Sequence, residues 1–255
     1  MFADDTKIWT KLVSSEDVNK LQKDLDSLST WSAKWLLLFN PTKCVVMHVG
    51  HDTHNHYYLQ QDGKKWELQS VKEERDLGVT VSDDRKVSQQ CISAANKANK
   101  VLGMVKRQFK NLDKASFLIL YKGFVRPHLE YAIQAWSPHL KKDIEHPEKI
   151  QRNATKLVKG FKLMSYNEHL HALKLTTLEK RRLRGDLIEV YKLLTGKENV
   201  DYKLLFQLDD TCYNTRGHKY KLKKHRPALV NLLYVYVYVI DHDWTLGNSS
   251  SVTEL

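Results

Sequence analysis

Residues 77–105 read LGVTVSDDRKVSQQCISAANKANKVLGMV, and this stretch decides the fold class. Its first part, residues 77–81, has the β-branched composition of a short strand. The polar pair Asp83-Asp84 follows, and we expect it to cap the next helix. From Val87 the apolar residues recur at helical spacing over about twenty residues. The chain therefore changes here from strands to helices, and we predict an α+β protein.

Upstream of this stretch the sequence predicts a helix and several short strands. Ser14 and Asp17 have the spacing of a capping box, which marks the start of a helix. Apolar residues then recur in steps of three or four and predict one buried helix face: Val18, Leu21, Leu25, Leu28, Trp31 and Trp35. Pro41 ends this helix because proline has no N–H to donate. A strand and a hairpin that turns at Asp62-Gly63 follow.

Downstream of Val87 the sequence predicts further amphipathic helices. Asp113 can cap one that ends at Arg126-Pro127. Another is expected to begin at Glu148, because Pro147 fits the start of a helix better than its interior. The last is predicted over residues 178–194.

Charge divides the chain of 255 residues unevenly, although its net charge is +11. Residues 1–84 carry −4, with 10 basic against 14 acidic residues, and residues 229–255 carry −3. Residues 85–228 carry +18, with 31 basic against 13 acidic residues. Clustered positive charge is typical of nucleic-acid binding, whereas the alternative is a solvated basic surface without a ligand.

Several classes of protein are disfavoured. Cys44, Cys91 and Cys212 are far apart and form no C-x-x-C pair, so neither a disulfide framework nor a zinc knuckle is indicated. The first residues lack the pattern of a signal peptide. The longest apolar run, residues 228–240, is shorter than the ~20 residues that cross a bilayer. We expect an intracellular protein, cytoplasmic or nuclear and not secreted, with no membrane partner.

Seven short motifs carry a family resemblance. In chain order they are FADD (2–5), NPTK (40–43), RDLGV (75–79), RPHLEY (126–131), WSP (136–138), QRNATK (151–156) and RRLRGDL (181–187). Their order and spacing closely resemble the reverse transcriptases (RNA-directed DNA polymerases) of LINE-type, non-LTR retrotransposons of the jockey-like kind. The resemblance covers residues 1–226.

The resemblance implies a partial polymerase palm of short antiparallel strands plus a helix, followed by an α-helical thumb. Residues 1–84 would be the C-terminal half of the palm with its primer-grip hairpin. Residues 85–228 would be the basic helical thumb and connection region. Residues 229–255 have no counterpart in the family, and the alternation of valine and tyrosine there favours a strand.

The resemblance also implies a catalytic site. Asp4 would be a ligand of Mg²⁺, with Asp5 beside it, because hard cations bind carboxylate oxygens and nucleotidyl transfer uses two metal ions. Lys43 matches a lysine that gives a proton to the leaving pyrophosphate, and a solvated lysine at a strand start is the open alternative. Leu77 and Gly78 match the primer-grip turn, although a plain hairpin turn would explain them equally well.

Basic residues of the body are candidates for contacts to the backbone of RNA or DNA. They form one predicted helix face and one arginine cluster: Arg152, Lys156 and Lys159, and Arg181, Arg182 and Arg184. Contacts to phosphates would carry no sequence readout. Trp136 and Tyr131 are expected to pack within the thumb rather than to stack on bases.

A palm of this family takes a first metal-binding aspartate and its fingers from segments upstream of the FADD motif, and the sequence starts at Met1. We therefore expect a truncated reverse transcriptase remnant without polymerase activity alone. Two alternatives stay open. One is a nucleic-acid-binding module that retains the basic thumb, and the other is an enzyme completed by fingers and palm on another chain.

The purified protein is expected not to extend a primer on an RNA template with Mg²⁺ or Mn²⁺, because its two-metal site would lack the upstream aspartate. Incorporation of labelled nucleotide measures this activity. Template-dependent incorporation that disappears in Asp4→Asn would contradict the expectation.

Overall fold

The structure is a computed structural model that describes residues 5–50, 55–209, 220–223 and 233–240. It contains both helices and short sheets, so the predicted α+β class is confirmed. The chain divides into two compact units. The described residues of unit 1 are 5–50, 55–76, 81–86 and 233–240, and those of unit 2 are 77–80, 87–209 and 220–223.

Unit 1 combines a helix with short strands. They are β1 (Asp5–Leu12), α1 (Ser15–Trp35), β2 (Val45–Val49), β3 (Tyr58–Gln61), β4 (Lys64–Glu67), β5 (Gln69–Ser70), β6 (Glu73–Asp76) and β8 (Leu233–Ile240). β7 (Val79–Ser82) is divided between the units. The largest sheet has the order β1-β8-β2-β5.

The strand expected in the tail is β8, and it lies between β1 and β2. It is antiparallel to β1 from Asp5↔Ile240 to Leu12↔Leu233. It is also antiparallel to β2, from Val45↔Tyr238 to Val49↔Tyr234. Because β8 pairs on both sides, it is an interior strand of the sheet.

Helix α1 begins where the sequence predicts. The Asp17 carboxylate accepts from the Ser14 N–H at 2.9 Å, as a capping box requires. The helix ends at Trp35 rather than near Pro41, because Leu36 adopts a left-handed conformation with φ 57°. The N–H of Leu37 then donates to the Ser32 carbonyl at 3.1 Å and closes the helix end.

The buried face of α1 differs from the predicted one. Leu21 and Leu25 are buried in the core with Phe39, Tyr57 and Leu59 of unit 1, as expected from their spacing. Toward its end, however, the helix buries Ser29 and Ser32 and exposes Trp31 and Trp35. These serines tolerate burial because the hydroxyl of Ser29 donates to the Leu25 carbonyl and that of Ser32 donates to the Leu37 carbonyl.

Two tight turns between strands each place a glycine at a positive φ. Asp62 and Gly63 join β3 and β4 with φ of 52° and 71°, the positive pair that a two-residue hairpin of type I′ requires. The predicted hairpin is therefore confirmed. Leu77 and Gly78 join β6 and β7 with φ of 45° and 83°, so this turn also has a positive φ at both central residues.

Unit 2 is helical. Its helices are α2 (Ser88–Gln108), α3 (Lys114–Leu120), α4 (Arg126–Glu130), α5 (Ile133–Trp136), α6 (Lys141–Thr155), α7 (Tyr166–Ala172) and α8 (Leu178–Leu194), with a π-helical segment at Tyr121–Val125 and a 3-10 turn at Tyr202–Leu204. Its core joins Ala98 and Leu102 of α2 to Ile150 and Ala154 of α6. In the part of the chain that the structure describes, no helix is both long and apolar enough to cross a membrane.

Some predicted helix boundaries hold and others are wrong. The predicted bounds of α8 are confirmed, and Asp113 caps α3 by accepting from the Ser116 N–H at 2.8 Å. Helical structure continues beyond Arg126-Pro127, and Pro127 lies in the first turn of α4, directly after the π-helical segment.

The other two corrections concern Pro147 and the aspartate pair. Pro147 lies inside α6 instead of before it, and packing of the buried face of α6 on α2 keeps the helix continuous. Asp83-Asp84 does not cap α2, because Val87 is at the cap position. A carboxylate oxygen of Asp84 instead accepts from the N–H of Lys86 at 2.8 Å.

Replacing Val237 by proline in the full chain should destabilise unit 1. Val237 lies opposite Ile8 on one side and Val46 on the other, so a proline there removes an N–H from the interior of the sheet. We expect the free energy of unfolding to fall by about 2 kcal/mol, measured by urea denaturation followed by circular dichroism. Val237→Thr keeps the N–H and is the control. Equal stability of the two variants would contradict an interior position for β8.

Candidate nucleic-acid interface

Two segments of unit 2 run side by side where α2 and α6 end. Leu112 and Val158, both buried, form a parallel β-bridge. The N–H of Lys159 donates to the Leu112 carbonyl at 2.9 Å. Because the bridge is parallel and follows both helices, α2 and α6 end on the same side of unit 2.

This bridge places two basic segments side by side, and we name the exposed cations of the two segments the bridge patch. Its members are Lys106, Arg107, Lys110, Lys114, Lys156, Lys159 and Lys162, and all seven are exposed. Asp113 is the acidic residue within the two segments, and its carboxylate is occupied by the N–H and hydroxyl of Ser116 at 2.8 and 2.9 Å. These bonds hold the pKa of Asp113 below its usual value.

The cations of the bridge patch are not neutralised locally. Within the described ranges none of the seven forms an ion pair, although Lys114 lies 5.7 Å from the ring centroid of Phe161. Lys106, Arg107 and Lys156 lie at the carboxyl ends of helices, where positive charge stabilises the helix. No such role applies to the patch lysines that lie beyond the helix ends, among them Lys159 and Lys162.

A buried amide connects α6 to three other segments of unit 2. The side-chain nitrogen of Gln151 donates to the Tyr166 hydroxyl at 2.8 Å and to the Thr176 carbonyl at 3.0 Å. Its oxygen accepts from the Tyr121 hydroxyl at 2.5 Å. Gln151 therefore connects α6 to the π-helical segment, to α7 and to the residues before α8.

Glu148, one turn earlier on α6, completes this network. Its carboxylate accepts from the Tyr166 hydroxyl and from the N–H of Leu178, the first residue of α8, at 2.9 Å. Burial is the largest cause that raises the pKa of Tyr121 and of Tyr166, so both phenols stay protonated and donate.

The predicted helix face of Arg152, Lys156 and Lys159 requires a correction. Helix α6 ends at Thr155, because the bridge to Leu112 draws the following backbone away from a helical path. Lys159 therefore lies beyond the helix and not on its face. Arg152 is half-buried, 3.8 Å from Glu145 and 5.2 Å from the ring of Tyr166. Lys156 and Lys159 remain exposed members of the patch.

The arginine cluster of α8 also divides. Arg181 forms a two-pronged contact with Glu130 at 2.5 and 3.2 Å, and this hydrogen bond raises its pKa. Arg182 is only 5% exposed, so the prediction that it contacts phosphate is wrong. Burial lowers the pKa of Arg182, although nearby Glu148 opposes that shift. Arg184 is exposed and stays a candidate.

The segments matched to the primer grip and to thumb packing meet in unit 2. The Tyr131 hydroxyl donates to the carbonyl of Leu77, which is itself exposed in its turn before Gly78. Trp136 is buried and donates from Nε1 to the Tyr131 carbonyl at 2.8 Å, so its predicted packing role is confirmed. Tyr131 is exposed, but the hydrogen bond from its hydroxyl to Leu77 fixes its position.

The implied catalytic site falls largely outside the described residues. Asp4 lies outside them, as does the side chain of Asp5, although the backbone of Asp5 begins β1. Lys43 is half-buried in the turn before β2. The described ranges alone contain no group of three or more His, Cys, Asp or Glu side chains placed to hold a metal ion. The Mg²⁺ site implied by the resemblance therefore stays a prediction.

Sequence reasoning missed most members of the bridge patch. Lys106, Arg107, Lys110 and Lys114 fall within the run KRQFKNLDK at residues 106–114, where four of nine residues are basic. This density of basic residues was the signal in the sequence that could have identified the segment. The pairing of this run with residues 156–162 follows from tertiary packing and leaves no local trace in the sequence.

The fold and site thus define an α+β protein with a concentrated basic surface on its helical unit. Comparisons with family models, with curated proteins and with solved structures find no match for this chain.

Replacing Gln151 by leucine should destabilise unit 2. The change leaves the Tyr121 hydroxyl and the Thr176 carbonyl without their partner in a buried site. We expect the free energy of unfolding to fall by about 2 to 4 kcal/mol in urea titrations. Gln134→Leu, the same change at an exposed position, is the control and should alter stability little. An equal effect of the two variants would show that the network contributes nothing.

Proposed function

We propose that unit 2 binds the phosphate backbone of nucleic acid through the bridge patch, without reading base sequence. The observation that carries this proposal is that the Leu112–Val158 bridge joins two segments that together bear seven exposed cations and one internally engaged carboxylate. Such a surface attracts a polyanion and gains affinity by releasing its condensed counterions.

We also propose that the chain is a piece of the palm and thumb of a LINE-type, non-LTR reverse transcriptase. The order and spacing of the seven motifs from FADD to RRLRGDL support this. Under this proposal the bridge patch would be a contact of the thumb with the backbone of template or primer. Unit 2 is assigned nucleic-acid binding, whereas nucleotidyl transfer would belong to the palm.

Ligand binding explains the composition of the bridge patch better than a purely solvated surface does. Soluble surfaces usually intersperse charges of both signs, because like charges closer than about 10 Å repel one another at ordinary ionic strength. The two patch segments combine seven cations with one acid. The repulsion among them would be relieved by a bound polyanion.

The double variant Lys159→Gln/Lys162→Gln should weaken binding of the full chain to duplex DNA. Each lost phosphate contact reduces the slope of log affinity against log salt by about 0.9, so we expect a slope shallower by about 1.8. Fluorescence anisotropy of a labelled duplex between about 50 and 200 mM salt measures it. Neither lysine lies in a helix, so stability should be unchanged.

The matched control is Lys141→Gln/Lys142→Gln, which removes the same charge from the first turn of α6. That turn lies about 20 Å along the helix from its patch end, at 1.5 Å per residue. The control should leave the slope almost unchanged. Equal slopes for the two variants would mean that binding follows net charge and not the patch, and absence of binding at low salt would refute the function.

A further inference from the structure

Phe109 places an exposed aromatic ring within the bridge patch. It follows directly after α2, between Arg107 and Lys110, and its side chain is 47% exposed. Its backbone is fixed, because its N–H donates to the Val105 carbonyl at 3.0 Å. The ring is therefore held at the surface by an ordered helix end.

An aromatic ring among cations suits one kind of polyanion in particular. Successive bases of a single strand stack on aromatic side chains while basic groups follow the phosphates. Bases within a duplex are already stacked on one another and paired, so a ring at the surface gains little from them. Phe109 thus adds to binding only where bases are free.

We propose that the bridge patch is a binding site for single-stranded nucleic acid, in which one base stacks on Phe109 and neighbouring phosphates contact Lys110, Lys159 and Lys162. This rests on the proposed function of the same surface and adds the strandedness of its ligand. The charge complementarity of the patch supports the choice of ligand.

An anionic membrane surface fits these residues less well. Peripheral proteins commonly insert the apolar face of an amphipathic helix, with its basic face toward the headgroups. Phe109 and the segment that carries Lys159 and Lys162 are not helical. Leu163 and Met164 are exposed beside Lys162, so vesicles belong in the test.

The test compares Phe109→Ala with Phe124→Ala in the full chain. Phe124 is likewise exposed, at 58%, but lies ten residues beyond Lys114 along a helical path. We expect Phe109→Ala to weaken binding of a single strand of about 20 nucleotides roughly tenfold and to leave duplex binding within twofold. Phe124→Ala should change neither, and Phe109→Trp should restore single-strand affinity.

The outcomes separate this inference from the proposed function. If Lys159→Gln/Lys162→Gln reduces binding but Phe109→Ala acts like Phe124→Ala, the patch binds backbone and the stacking site is refuted. If Phe109→Ala weakens duplex binding as much as single-strand binding, strand selectivity is refuted. Tighter binding to phosphatidylserine vesicles than to the single strand, lost in Phe109→Ala, would overturn the inference in favour of a membrane.

Discussion

The hydrogen bonds of Gln151 and Glu148 fix the position of α6, and the rest of unit 2 depends on that position. Both side chains are buried, and between them they engage the π-helical segment, α7 and the start of α8. Satisfied polar networks of this kind select one arrangement of helices, because every alternative leaves a buried donor or acceptor unpaired. The carboxyl end of α6 leads directly into the bridge at Val158, so the network also determines where the patch lysines lie.

Some basic residues of unit 2 are paired or buried within the fold, whereas others stay exposed at its surface. Residues 85–228 carry +18, but part of that excess is used internally. Arg181 neutralises Glu130, and Arg182 is buried beside the Glu148 network. Lysines, with their compact and strongly hydrated charge, make up nearly all of the bridge patch, whereas two of the three arginines at 181–184, Arg181 and Arg182, are partly or fully buried, as suits their planar, weakly hydrated groups.

Features with a local cause were predictable from the sequence. The capping box at Ser14, the turn at Asp62-Gly63 and the bounds of α8 each depend on residues a few positions apart. Features decided by tertiary packing were not. Pro147 inside α6 is tolerated because α2 packs along that helix, and Lys159 leaves the predicted helix face because Leu112, distant in sequence, pairs with Val158. The candidate site was therefore only partly predictable: of its seven exposed members, the sequence predicted Lys156 and Lys159 alone.

The sheet of unit 1 also depends on residues that are distant in sequence. β1 and β2 are joined through α1 and are both antiparallel to β8, so they run parallel to each other with one strand position between them. That position is filled by residues 233–240, which follow all of the described residues of unit 2 in the sequence. During synthesis β1 and β2, which end at Leu12 and Val49, precede their shared partner, which begins at Leu233, by most of the chain, and pairing over such a separation is slow to form. Until it forms, two strand edges stay open to wrong partners. Residues 233–240 thus pair with the strand edges that β1 and β2 would otherwise leave open.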